Sequence, residues 1–110
     1  MKIRTEIVRG VTVIRCQGEF AGEDASESFK QHTRALLDAR SQDCLVDLTR
    51  TDYLDSLAWM TLAVFWRRLR ETDGRLKLLT QPRKLAFVCE PIFESYHNEE
   101  EALTSLLNDE

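Results

Sequence analysis

The sequence has no long hydrophobic run and contains little glycine, proline or cysteine. No stretch approaches the roughly 18 apolar residues that a membrane-spanning helix needs, so we expect no membrane insertion. Residues 1–6 carry no apolar segment of the kind found in signal peptides, which disfavours secretion. The four glycines and two prolines form no linker, and no repeat or low-complexity tract occurs. We therefore predict a single domain over residues 1–110, located in the cytoplasm.

Positive charge is not in excess either. The 15 lysines and arginines stand against 19 aspartates and glutamates, which gives a formal net charge of −4. A surface that binds nucleic acid needs clustered lysine and arginine side chains against the phosphates, so we expect no nucleic-acid partner.

Residues that could hold a metal or a cofactor are sparse. Cys16, Cys44 and Cys89 lie far apart and beside apolar residues, as free, buried thiols in a reducing compartment do. His32 and His97 have no cysteine or second histidine nearby, so a zinc-binding spacing is missing. The sequence also lacks a nucleophile elbow, a P-loop, an HExxH motif and a GxGxxG motif. We expect neither a cofactor nor an enzymatic activity.

The spacing of apolar residues predicts strands that alternate with helices. The strands are predicted at residues 3–8, 11–16, 44–48, 75–79 and 92–96, and the helices at 23–40, 57–72, 82–88 and from 99 onwards. Gly18 is expected to end the second strand, residues 49–53 to form a loop, and Asn98 to cap the last helix. The order β-β-α-β-α-β-α-β-α predicts an α/β fold, a mixed β-sheet of about five strands with helices packed on it.

The helix predicted over residues 57–72, for which Asp55 or Ser56 is the expected N-cap, carries more apolar residues than one buried face requires. At 100° per residue, one side of this helix is expected to face the sheet through Ala58, Leu62, Phe65 and Leu69. Away from it lie Leu57, Trp59, Met60, Ala63 and Val64. Either neighbouring helices cover this second side, or it forms an exposed patch for a protein partner. Tryptophan and methionine are enriched in such contacts, which favours the second interpretation.

The element order and two short segments together resemble the STAS domain, the sulfate-transporter and anti-sigma-factor-antagonist module. The segments are Leu45-Val46-Asp47-Leu48 and Tyr53-Leu54-Asp55-Ser56, followed by a helix that ends near Gly74. The similarity runs from the turn Gly18-Glu19-Phe20 to the closing Glu100-Glu101-Ala102-Leu103. The resemblance implies the STAS fold and a bacterial signalling role in transcription regulation, through binding of a protein partner such as an anti-sigma factor with serine kinase activity.

The sequence departs from the antagonist pattern at the positions that form its switch. Such antagonists carry Asp-Ser-Ser/Thr-Gly, and the partner kinase phosphorylates the second hydroxyl residue. Here Asp55 and Ser56 match, but Leu57 occupies the phosphoacceptor position and Ala58 replaces the glycine. Ala21 also stands where the family usually has an acidic residue. The resemblance therefore implies a binding scaffold without the usual switch, with Ser56 as a phosphoacceptor one residue out of register.

The sequence leaves several functions open. The partner-binding residues we predict are Glu19, Asp24, Asp55, Ser56, Leu57, Trp59, Met60, Ala63 and Val64. Small STAS proteins also serve as subunits of ABC-type phospholipid-transport complexes, and others are structural subunits of signalling assemblies. A homodimer is a further alternative.

Overall fold

The computed structural model describes residues 1–38, 42–81 and 94–108. Five strands and three helices follow one another in the order β1 (Lys2–Val8), β2 (Val11–Phe20), α1 (Gly22–Leu37), β3 (Asp43–Leu54), α2 (Ser56–Glu71), β4 (Arg75–Leu79), β5 (Glu94–Tyr96) and α3 (Glu99–Asn108). The helix predicted at residues 82–88, the first residues of the last predicted strand and Cys89 lie outside the described residues. None of the described helices combines the length and apolarity needed to cross a membrane.

The strands form one mixed sheet in the order β1-β2-β3-β4-β5. β1 and β2 are an antiparallel hairpin, whereas β2, β3, β4 and β5 pair in parallel. Each parallel pair needs a crossover connection, and α1 and α2 supply the first two. The predicted α/β class and mixed five-stranded sheet are confirmed.

Hydrophobic clusters cover both faces of the sheet. α1 and α2 pack on one face, where Phe29 and Phe65 meet edge to face with ring centroids 5.5 Å apart. α3 packs on the other face through Ala102, Leu103 and Leu106. Successive residues of β3 point into the two clusters alternately, so that Cys44 and Val46 lie in the first and Leu45 in the second. This confirms the central strand covered on both sides.

β2 and β3 are longer than the sequence predicted. We expected Gly18 to end β2 and residues 49–53 to form a loop, and both expectations are wrong. In the parallel ladder Gly18 pairs with Thr51 after one register shift, and Phe20 pairs with Leu54 after a second. β4 pairs with β3 only over Asp43–Asp47 in the described chain, so the second half of β3 borders β2 alone. A strand segment with one neighbour is largely open to solvent, which explains its polar, loop-like sequence.

The helix ends are close to the predicted ones. α1 ends at Leu37 with Asp38 as its C-cap, earlier than the predicted residue 40. Asn98 caps α3 as expected, since its Oδ1 accepts a hydrogen bond from the Glu101 amide at 3.2 Å. α2 stops at Glu71, and the Gly74 amide then donates to the Leu69 carbonyl at 2.8 Å.

An ionic cluster fixes the start of α3 against the sheet. The Arg15 guanidinium on β2 donates to Glu6 at 2.6 Å, to Asp47 at 2.8 Å and to Glu99 at 2.7 Å. These carboxylates belong to β1, β3 and α3. One arginine therefore joins three strands to a helix, with each hydrogen bond strengthened by opposite charge.

Candidate functional site

The candidate site lies where the β2–β3 ribbon ends and two helices begin. β2 ends at Phe20 and β3 at Leu54, and each leads within two residues into a helix. The Asp55 amide donates to the Phe20 carbonyl at 3.2 Å, which closes the ribbon. Because both helices follow parallel strands, their N-terminal ends reach the same end of the sheet.

The Asp55 carboxylate connects these two helix starts. Its Oδ1 accepts from the Ala58 amide at 2.8 Å, as an N-cap of α2, and its Oδ2 accepts from the Gly22 amide at 2.9 Å, at the first residue of α1. Gly22 has φ +83°, a conformation that a residue with a side chain adopts only with strain. The bonds from Gly22 and then Ala58 hold the pKa of Asp55 below its ordinary value, because they favour the ionised form. Of the two caps that the sequence allowed, the structure has Asp55.

Ser56 and Leu57 form the first turn of α2. Ser56 is exposed and Leu57 is half-buried. Below them, the buried hydroxyls of Ser26 and Thr61 are hydrogen-bonded at 2.6 Å and tie α1 to α2. The Leu57 side chain, at the position that the sequence predicts to have lost the phosphoacceptor, is thus not enclosed by the core.

An apolar stripe runs along α2 from this turn. Leu57, Met60 and Val64 follow one another at helical spacing, so they lie on one face. Met60 is 63% exposed and Val64 is 46% exposed. This part of the second helix side is open to solvent, as the interpretation of a partner-binding patch predicted.

The predicted exposure of Trp59 is wrong. Its side chain is only 6% exposed and packs in the same cluster as Ala58 and Leu62, while Ala63 is half-buried against that cluster. Trp59 sits about 90° around the helix from the centre of its buried face, and a side chain of this size reaches the core from there. The two interpretations of the helix therefore each hold for one part of it: the side with Trp59 is covered, and the side with Met60 is exposed.

Glu19 and Asp24 are both exposed near the ribbon end. Glu19 lies opposite Tyr53 in the parallel register, and Asp24 is in the first turn of α1. Tyr53 is 55% exposed at the end of β3, yet it is not among the partner-binding residues that the sequence predicts. The segment Thr51-Asp52-Tyr53-Leu54 does not alternate between polar and apolar residues, so the sequence offers no signal for this strand end.

The described residues contain no group of histidine, cysteine and carboxylate side chains that could hold a metal ion. Cys16 and Cys44 are buried and free, and burial raises the pKa of each thiol to about 12. A thiol with such a pKa stays protonated at neutral pH and is a poor nucleophile.

Comparisons with known proteins agree with this fold. The family model of the STAS domain matches residues 2–98. The solved structure of the anti-sigma factor antagonist SpoIIAA in its unphosphorylated form has a TM-score of 0.77 at 21% identity, covering 97% of this chain and 99% of that chain. An anti-sigma factor antagonist from Mycobacterium paratuberculosis has a TM-score of 0.79 at 22% identity, covering 97% and 94%.

A third structure, the Bacillus cell fate determinant SpoIIAA in the phosphorylated form, has a TM-score of 0.72 at 22% identity, covering 96% of this chain and 99% of that chain. At these identities the likeness establishes the fold alone. No curated protein matches the chain.

Proposed function

Because the chain belongs to the STAS domain family, we propose that it is a non-enzymatic protein-binding module of the anti-sigma factor antagonist type. Its partner is an anti-sigma factor of the serine kinase kind, in a bacterial cytoplasm, and its single domain spans residues 1–110. We call the contact region the docking surface: Asp55, Ser56, Leu57, Met60 and Val64, bordered by Glu19, Asp24 and Ala63. Trp59 supports this surface from the core and does not touch the partner.

The single observation that carries the proposal is the apolar stripe on α2. A solvent-facing helix side is normally polar, yet Met60 and Val64 are exposed there in line with Leu57. Exposed apolar side chains that adjoin each other mark interaction sites more often than isolated ones do. The rigid hydrogen bonds of Asp55 and of the Ser26–Thr61 pair keep this stripe in one position before a partner arrives.

Leu57 makes the binding independent of phosphorylation in this proposal. A phosphate at the start of a helix is tolerated by the helix dipole and the free amides, but it adds about −2 charge inside an interface. Leucine has no hydroxyl to modify and instead adds apolar contact area. The docking surface therefore stays competent for binding at all times.

Binding is tested with the purified full chain and the protein that it captures from its native host. The captured protein is produced separately, and its Kd is measured by calorimetry against the wild type, Met60→Glu and Val64→Glu. Each variant is expected to weaken binding by tenfold or more, because a charge is forced into a desolvated contact. Ile7→Glu is the matched control, since Ile7 is 75% exposed on β1, away from the docking surface.

Equal affinity of Met60→Glu and the wild type, with both folded, would disprove the docking surface. Capture of an ABC-type ATPase in place of an anti-sigma factor would disprove the proposed class of partner and favour the phospholipid-transport alternative. A captured second copy of this chain would favour a homodimer or a structural assembly.

The missing switch is tested with the same captured partner, Mg²⁺ and ATP. Intact-mass measurement is expected to show no added phosphate on the wild type, whereas Leu57→Ser restores a hydroxyl and is expected to gain one. Phosphate on Ser56 of the wild type would refute the claim that binding is independent of phosphorylation.

A further inference from the structure

A groove between α1 and α2 continues the docking surface toward the C-terminal ends of both helices. It has a volume of about 370 Å³, within the range of about 300–1,000 Å³ that is typical of ligand sites. Phe29, Leu37, Val64 and Phe65 give it an apolar lining. Val64 belongs both to the groove and to the exposed stripe, so the two surfaces are continuous.

The rim of the groove is basic although the chain as a whole is acidic. Lys30, Arg34 and Arg68 line the groove together with a single carboxylate, Asp38, among its described lining residues. All three cations are exposed, and none has a carboxylate partner in the described part of the chain. By contrast, Arg15 on the sheet is fully engaged by three carboxylates.

From this charge pattern we infer that the groove binds an acidic segment of the protein partner, with an apolar side chain of that segment seated between α1 and α2. The inference rests on the proposed function and extends it by naming the chemistry of the segment. Apolar lining would take up the side chain, and the three cations would attract flanking aspartates or glutamates. A basic segment would instead meet like charge on the rim.

The helix dipole accounts for only part of this pattern. Cations near a helix C-terminus are favourable, and Arg34 lies in the last turn of α1 and Arg68 in that of α2. The dipole effect fades beyond the last turn, however, and Lys30 lies before it. Arg67 is the chain neighbour of Arg68 and is exposed like it, but it is not among the residues that line the groove, which makes it a matched control.

The test uses a synthetic amphipathic helical peptide with leucines on one side and glutamates on the other. A second peptide has lysine in place of every glutamate. Each is titrated into the isotope-labelled full chain, and the amide shifts are mapped by NMR. The glutamate peptide is expected to shift the amides around Lys30, Arg34, Val64 and Arg68, with an affinity that falls as salt is added.

Charge variants then locate the binding. Arg68→Glu is expected to weaken binding of the glutamate peptide by roughly five- to tenfold, and the neutral Arg68→Gln is expected to weaken it by less. The affinity of Arg67→Glu is expected to stay within about twofold of the wild type. Circular dichroism establishes that all three variants are folded. Shifts outside the groove, equal binding of the lysine peptide, or equal effects of Arg67→Glu and Arg68→Glu would each overturn the inference. The inference would also be overturned if the chain bound vesicles of anionic phospholipid through Arg68 but did not bind the glutamate peptide.

The captured partner separates this inference from the proposed function. If Met60→Glu abolishes binding while Arg68→Glu leaves the Kd unchanged, the groove is wrong and the docking surface stands. If neither variant changes the Kd, both fail.

Discussion

The carboxylate of Asp55 offers a direct measure of how strongly the ribbon end is held together. Changing Asp55 to alanine removes the N-cap of α2, which costs about 1 kcal/mol. It also leaves the Gly22 amide without its acceptor, which we expect to cost about 0.5–1 kcal/mol more. This is at the low end of the cost of a lost hydrogen bond, because Gly22 is exposed and water reaches its amide. We therefore expect the free energy of unfolding to fall by about 1.5–2 kcal/mol.

Urea unfolding followed by circular dichroism measures this loss. With a slope of about 1.5–2 kcal/mol per molar urea, the midpoint is expected to drop by about 1 M with no change in slope. Asp55→Asn keeps one oxygen acceptor and is expected to lose about half as much. Asp24→Ala is the control, since Asp24 is an exposed carboxylate in the first turn of α1, and its effect is expected to stay within about 0.5 kcal/mol.

The same carboxylate gives a pH dependence with a defined sign. The pKa of Asp55 is lower in the folded chain than in the unfolded chain, where it is about 4. Its contribution to stability is therefore complete above that pH and is lost as the pH falls through the folded-state pKa. The wild type is expected to lose more stability than Asp55→Asn between neutral and strongly acidic pH. Equal midpoints for Asp55→Ala and Asp24→Ala, or parallel pH curves, would refute the role of Asp55 as a link between the helices.

Three further predictions concern the core. Trp59→Ala is expected to cost about 3–5 kcal/mol in chemical unfolding because its side chain is buried, whereas the adjacent Met60→Ala is expected to cost less than about 0.5 kcal/mol; similar costs would contradict the placement of α2. Gly74→Ala puts a methyl group 2.6 Å from a backbone carbonyl oxygen, and we expect about 1–3 kcal/mol of destabilisation in a thermal melt; an unchanged melting temperature would exclude that close approach. In a variant that keeps only Cys16 and Cys44, a thiol reagent at pH 8 is expected to react only on unfolding, because burial holds both thiols protonated; rapid labelling of the folded protein would show that they are accessible.

The architecture could be predicted because, in the buried elements, the spacing of apolar residues matches the period of the strand or helix that they form. Cys44, Leu45 and Val46 are apolar on both faces of the sheet, as expected of a central strand, and the four apolar residues Ala58, Leu62, Phe65 and Leu69 all face the core. The parallel ladder beyond Asp47 was not predictable in this way. Beyond Leu48 its residues gain backbone pairing with β2, but apart from the buried Thr51 they are exposed or half-buried, so their side chains carry no periodic signal of a sheet.

The site was predicted only in part for a related reason. A helical wheel places Trp59 and Met60 within one arc, but it carries no information about which neighbour covers each flank. Similarly, Asp55 could be recognised as a cap from its type and position, while its second bond to Gly22 depends on two helices meeting in space. Contacts between distant segments decide both cases.

The first half of β3 pairs with two strands and the second half with one, and this difference affects which substitutions the protein can accept during evolution. Substitutions before Asp47 disturb packing on both faces of the sheet, so we expect most of them to destabilise the fold and to be selected against. Most substitutions beyond Asp47 change the surface that is available to a binding partner and leave the fold intact. A single strand thus combines a segment on which the fold depends with a segment that can acquire new binding specificity.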